Sequence, residues 1–151
     1  MNKKRLIFII LLIILFLTGC GDVKQPLNKE TFKQKLEQKG FTVVEKPIDA
    51  NNNPTKIETY YIATPPEITY QFDIIIYTNE SSALATYARI RENFGGKGYH
   101  NELNVGNFSK YTQICNDQYS VVSRVGSTVL HTHVDNKYRD EVNNILKEIG
   151  Y

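Results

Sequence analysis

His131-Thr132-His133 is the most suggestive group in the chain. On a strand, positions i and i+2 project from one face, and two imidazoles on one face can share a metal ion. A zinc site needs a third protein ligand. His100 and Asp135 are the remaining candidates, so the metal reading depends on whether either converges on the pair. The alternative is two polar residues on a solvated sheet face. Cys115 beside a histidine would be a second kind of chemistry, a thiol with its base. Glu58 and Asp73 offer two carboxylates on neighbouring strands, where such groups are usually solvated. Gly95-Gly96-Lys97-Gly98 follows a helical stretch instead of opening one, so it reads as a helix stop and not as a phosphate loop. Neither His-Glu-x-x-His nor Gly-x-Ser-x-Gly occurs. Ten tyrosines and no tryptophan are present; Tyr60, Tyr61, Tyr70 and Tyr77 suit a core, a rim, or a groove for a peptide or glycan.

The elements that must position these residues follow from periodicity. The first helix runs from Asn28, as N-cap, to Lys39, with Phe32 and Leu36 on one face and Gly40 beyond its end. The second starts near Asn79 and ends near Phe94, with Ala83, Leu84, Tyr87, Ala88 and Ile90 inward. The third carries Tyr138, Val142, Ile145, Leu146 and Ile149 as one apolar stripe, with Asp135 or Asn136 as its cap. Six strands are expected, at about 41–46, 57–63, 68–78, 105–115, 118–125 and 128–134. Pro65-Pro66 breaks pairing between the second and third. Asn116-Asp117 and Gly126-Ser127 are two-residue hairpin signals. The expected class is α+β, a mainly antiparallel sheet of about six strands with three helices in the order α-β-β-β-α-β-β-β-α.

The two hairpin signals fix a register. Val125 faces Thr128, Val122 faces His131 and Ser120 faces His133; Cys115 faces Gln118, Tyr111 faces Val122 and Gln113 faces Ser120. Phe108, Ile114, Tyr119, Val121, Val125, Leu130 and Val134 then share the helix-covered face. Tyr111, Gln113, Cys115, Ser120, Val122, Arg124, Val129, His131 and His133 share the other, which is mixed and expected to be partly open. Cys115 and His133 fall two strands apart, over about 10 Å between backbones, which argues against a dyad.

The N-terminus has a different character. Lys3, Lys4 and Arg5 precede an unbroken apolar run from Leu6 to Leu17. A charged start and a short apolar core form the plan of a secretory signal. Twelve helical residues cover about 18 Å, short of a hydrocarbon layer of roughly 30 Å. Leu17-Thr18-Gly19-Cys20 then resembles the lipobox of bacterial lipoproteins, whose cysteine takes the lipid. The expected organisation is a signal peptide over 1–19, a lipidated Cys20 with a short tether over 20–27, and one domain over 28–151. Without Lys3, Lys4 and Arg5 the 18 basic residues fall to 15 against 16 acidic ones, a net charge of −1. That balance gives the mature chain no cationic excess to draw it onto nucleic acid. With Cys20 lipidated, Cys115 has no disulfide partner.

Over 110–151 the chain reads Lys110-Tyr111-Thr112, Tyr119-Ser120-Val121-Val122-Ser123-Arg124-Val125, Val134-Asp135-Asn136-Lys137-Tyr138 and Ile145-Leu146-Lys147-Glu148-Ile149-Gly150-Tyr151. With the lipobox, this resembles the small uncharacterised lipoproteins of Firmicutes, clostridia in particular. The resemblance implies lipid (palmitate-type) anchoring and carries over no activity, cofactor or active-site residue. The sequence thus leads to a membrane-anchored, extracytoplasmic lipoprotein with a non-enzymatic binding or accessory domain. Its expected partners are the membrane, through lipid on Cys20, and a protein, peptide or glycan; no cofactor is expected. The alternative is a metal-binding lipoprotein using His131 and His133.

Overall fold

The computed structural model describes residues 24–151. Helix α1 (Lys29–Gln38) starts where the Asn28 side chain accepts the Thr31 N–H at 2.8 Å, and it buries Phe32 and Leu36. Strands β1 (Thr42–Glu45), β2 (Ile57–Thr64) and β3 (Phe72–Tyr77) follow as a meander. Helix α2 (Glu80–Asn93) is capped by Asn79 in the same way. Four strands come next: β4 (Tyr99–Val105), β5 (Phe108–Cys115), β6 (Gln118–Val125) and β7 (Thr128–Asp135). A 3-10 turn, Asn136–Tyr138, leads into α3 (Arg139–Glu148). The sheet has seven strands in the order β1-β2-β3-β7-β6-β5-β4, every neighbour antiparallel. The class is the expected α+β with three helices.

The hairpin registers match residue for residue: Val125 pairs with Thr128, Val122 with His131, Ser120 with His133, Tyr111 with Val122, Gln113 with Ser120 and Cys115 with Gln118. The seventh strand is β4. The expected strand from Val105 runs through Gly106-Asn107, which is instead a two-residue turn with Gly106 at φ +57°. A further difference lies at β3, which begins at Phe72 and not at Ile68, because residues 65–71 form the loop after Pro65-Pro66.

Two apolar layers flank the sheet. On one face α1 and α3 pack on Phe72, Ile74, Val121, Val125, Leu130 and Val134, the face expected to be covered. The other face is not open. α2 lies across it, with Ala83 and Tyr87 against Ile75, Tyr111, Val122 and Val129. β3 and β4 run parallel with three strands between them, so α2 is a crossover and must lie on a sheet face to connect them. With both faces covered, all six residues of β3 are buried. Among the described residues no helix is long and apolar enough to cross a membrane.

The chain enters the fold already docked. The Lys24 ammonium sits 3.6 Å from the Phe108 ring centroid and donates to the Gly150 carbonyl at 3.1 Å. Asn107 Nδ2 donates to the Lys24 carbonyl at 2.6 Å. These contacts fasten the entry to the sheet end that carries the β4–β5 and β6–β7 turns.

Candidate functional site

Strand pairing on the α2 face aligns two cross-strand rows. One is His100, Gln113, Ser120 and His133; the other is Glu102, Tyr111, Val122, His131 and Asp73. α2 stops at Phe94, short of the first row, because Gly95 and Gly96 adopt positive φ and end it. The uncovered corner is an open-sided hollow of ≈ 530 Å³ lined by Phe94, Lys97, Cys115, Gln118, Ser120 and His133 among others. It lies at the sheet end that carries the β5–β6 turn, opposite the docked entry at Lys24.

Hydrogen bonds stiffen its floor. Ser120 Oγ and His133 Nδ1 are 2.7 Å apart. Gln113 Nε2 donates to the Phe94 carbonyl at 2.9 Å, and the Tyr111 hydroxyl donates to Gln113 Oε1 at 3.1 Å. The helix end and the strand floor are therefore one bonded unit. His133 is exposed and Ser120 engages only its Nδ1, so the hollow combines an imidazole, a hydroxyl and the Lys97 cation with the Phe94 ring.

On β3, opposite His131, the structure departs from the sequence expectation. Asp73 is 8% exposed, so this carboxylate is not solvated as strand-face carboxylates usually are. The Tyr60 hydroxyl donates to its Oδ1 at 2.5 Å and Gln71 Nε2 to its Oδ2 at 3.0 Å. Burial, with that bond to Asp73, pushes the Tyr60 hydroxyl up. His131 stands opposite Asp73 in the ladder; burial lowers its pKa, and the Asp73 charge opposes that shift. Glu58, the other carboxylate considered, is exposed. In the sequence Asp73 directly precedes Ile74-Ile75-Ile76, an apolar run typical of a strand covered on both faces, and a carboxylate in such a strand needs hydrogen-bond partners.

The candidate ligands for a third metal bond are placed elsewhere. Asp135 accepts the Lys137 N–H at 3.0 Å and so caps the 3-10 turn ahead of α3. His100 belongs to β4, three strands from His133 or about 14 Å, and stacks on Tyr111 at 5.9 Å between centroids. Among the described residues no three of His, Cys, Asp and Glu are grouped to hold a metal. Cys115 and His133 do line the same hollow, but they are two strands apart and Ser120 takes the near nitrogen of the imidazole.

No protein-family model and no curated protein matches the chain. A crystal structure of a GTP binding regulator from Thermotoga maritima is similar at 15% identity, over 82% of this chain and 88% of that one, with a TM-score of 0.47. A likeness at that level transfers no function. Cys20, the residue expected to carry lipid, lies outside the described residues.

Proposed function

We propose that the chain is a lipoprotein held on the extracytoplasmic face of the membrane through lipid on Cys20, and that its domain is a non-enzymatic binding or accessory module. The observation that carries the binding reading is the bonded hollow at the end of α2. It combines an apolar wall at Phe94 with three polar groups of different kinds at Ser120, His133 and Lys97. A few fixed polar groups around an apolar patch is the general form of a ligand site. The side chains that could do covalent chemistry are held apart, which favours binding over turnover. Anchoring supports the same reading. The chain enters over Phe108, on the face covered by α1 and α3, whereas the hollow lies on the α2 face, so a short tether leaves the hollow facing away from the bilayer.

Two measurements test the two halves. Mass spectrometry of the membrane-bound protein is expected to show a diacylglyceryl-modified Cys20 as first residue, and Cys20→Ser to leave an uncleaved, unlipidated chain. An unmodified N-terminus elsewhere refutes the anchor. For the hollow, protein captured from native membranes with the wild-type chain is compared with His133→Ala/Lys97→Ala. An unchanged set of captured peptides, proteins or glycans refutes the assignment of the hollow.

A further inference from the structure

The two edges of the sheet are unlike. β1 is four residues long, lies beside α1, and runs out into Glu45, Lys46 and Pro47. Short length, charge and proline are the devices that keep a sheet edge from pairing with another chain. β4 is neither short nor broken by proline, and its one charge, Glu102, is paired with Arg91 of α2 at 3.0 Å. It is seven residues long, pairs with β5 without a bulge over its whole length, and contains no lysine and no proline. Every residue in it is exposed, including Tyr99 at 72% and Leu103 at 50%. Its start is locked: a Cβ at Gly98 would fall 2.2 Å from the Ile114 carbonyl oxygen, so the backbone is seated there.

The register of β4 limits what can dock on it. The two-residue turn at Gly106-Asn107 closes on the pair Val105 and Phe108, which makes that pair hydrogen-bonded. Alternation then turns the backbone groups of Tyr99, Asn101, Leu103 and Val105 toward β5, and those of His100, Glu102 and Asn104 outward. A second antiparallel β4 must set outward residues against outward residues. Over most of the strand, that leaves two-fold axes at Asn101, Glu102 or Leu103. An axis at Glu102 puts two carboxylates face to face. An axis at Leu103 sets Asn101 against Val105. An axis at Asn101 sets Tyr99 against Leu103 and His100 against Glu102, each twice, with amide against amide at the centre. Apolar meets apolar on one face, and on the other imidazole meets carboxylate.

We infer that β4 pairs antiparallel with β4 of a second copy of this chain, about a two-fold axis at Asn101, joining two seven-stranded sheets into one. The match of exposed Tyr99 with exposed Leu103, made twice about the axis, favours a second copy over an unrelated strand; Glu102, already paired with Arg91 within its own chain, adds no repulsion in this register because it meets His100 and not a second carboxylate. The two-fold axis is normal to the sheet, so it sets the two Lys24 entries at opposite ends of the joined sheet but on one face, the face of Phe108. Two anchors in one bilayer then require the joined sheet to lie with that face toward the membrane and the α2 face outward. Few side chains meet outside the ladder, so the contact is weak in dilute solution, and confinement to a surface strengthens it.

Cysteine trapping in the full chain reads both the pairing and its register. In a Cys115→Ser background, Asn101→Cys places two thiols in a non-hydrogen-bonded pair whose Cα separation of about 4.5 Å suits a disulfide. Asn104→Cys places them about 20 Å apart. Under mild oxidant, Asn101→Cys is expected to give covalent dimer at least about tenfold faster than Asn104→Cys. His100→Pro, added to Asn101→Cys, removes an outward N–H without touching the β4–β5 bonds and should bring trapping down to the Asn104→Cys rate; an unchanged far-ultraviolet spectrum shows the fold intact. Equal rates at 101 and 104, fastest trapping at Leu103→Cys or Glu102→Cys, or trapping that survives His100→Pro in folded protein each overturns the inference. The Cys115→Ser parent alone reports any bridge through an unlipidated Cys20, so failure of the anchor is read separately.

Discussion

Leu146→Ala is the sharpest test of how the domain holds together. α3 closes the described chain, and no strand ladder fastens it; Val142, Ile145, Leu146 and Ile149 pack on the sheet, and the Tyr70 and Tyr119 hydroxyls donate to Glu141 and Asn143 at its rim. Leu146 is fully buried, whereas Leu84, on the outer side of α2, is 50% exposed. Truncating a buried leucine removes its transfer free energy and leaves a cavity, together about 2–5 kcal/mol. The site is sandwiched between helix and sheet and has little room to collapse, so about 3–4 kcal/mol is expected. For a domain of this size that is about a third of a typical stability, and it lowers the melting temperature by roughly 10–15 °C. Leu84→Ala, on a half-exposed helix position, should cost under about 0.5 kcal/mol. The assay is urea unfolding of a chain beginning at Lys24, since Lys24 is bonded to Gly150 and a later start would remove that contact. A Leu146→Ala loss within about 0.5 kcal/mol of the Leu84→Ala loss would show that α3 is not docked as described.

Other expectations follow from the site. Zinc should bind the wild-type domain no more tightly than it binds a pair of exposed imidazoles; a submicromolar, one-to-one affinity in calorimetry that disappears in His131→Ala/His133→Ala would overturn this and favour the metal-binding alternative. Burial lowers the His131 pKa, so the folded chain resists the proton that the unfolded chain accepts below about pH 6.5. Above that pH neither state carries the proton and this group contributes no slope; below it, stability falls until the folded pKa is reached. His131→Gln should flatten that part of the stability curve between pH 7 and 5, and an unchanged slope would mean another group produces it. Gly98→Ala forces a Cβ onto the Ile114 carbonyl oxygen at a φ of +80° and should detach the start of β4. Amide exchange at Tyr99 and Asn101, whose N–H groups face β5, would rise while the α3 core stays protected; equal exchange at both in the two proteins refutes the seating of β4.

Much of this arrangement is legible in the chain, and the omissions have physical causes. Asn116-Asp117 and Gly126-Ser127 each specify a two-residue turn, and a two-residue turn leaves one register, so three strands fall into place from four residues. Gly106-Asn107 carries a signal of the same kind. That signal is masked because Tyr99–Val105 lacks the apolar alternation of a half-buried strand, and an edge strand with no covering helix has no need of it. The placement of α2 is a different matter. Its stripe of Ala83, Tyr87 and Ile90 says that one side is buried but not which sheet face receives it. That follows from the β3-to-β4 crossover, which is visible only once β4 is recognised. The open face expected for His131 and Gln113 therefore shrank to the corner beyond Phe94.

The pairing of β3 with β7 also has a meaning in time. Ile74 meets Leu130 and Asp73 meets His131, partners 56 and 58 residues apart, whereas β2 reaches β3 and β6 reaches β7 through short connections. The sheet is thus two locally closed meanders joined by one distant seam. A chain that emerges N-terminus first, from a ribosome or from an export channel, delivers β2 and β3 well before β7. For that interval Phe72–Tyr77, six residues of high β-propensity with a single charge, can pair only on its β2 side. The newborn chain therefore carries its stickiest segment with one edge unoccupied until the last hairpin emerges, and any factor that shields apolar strands has its natural target there.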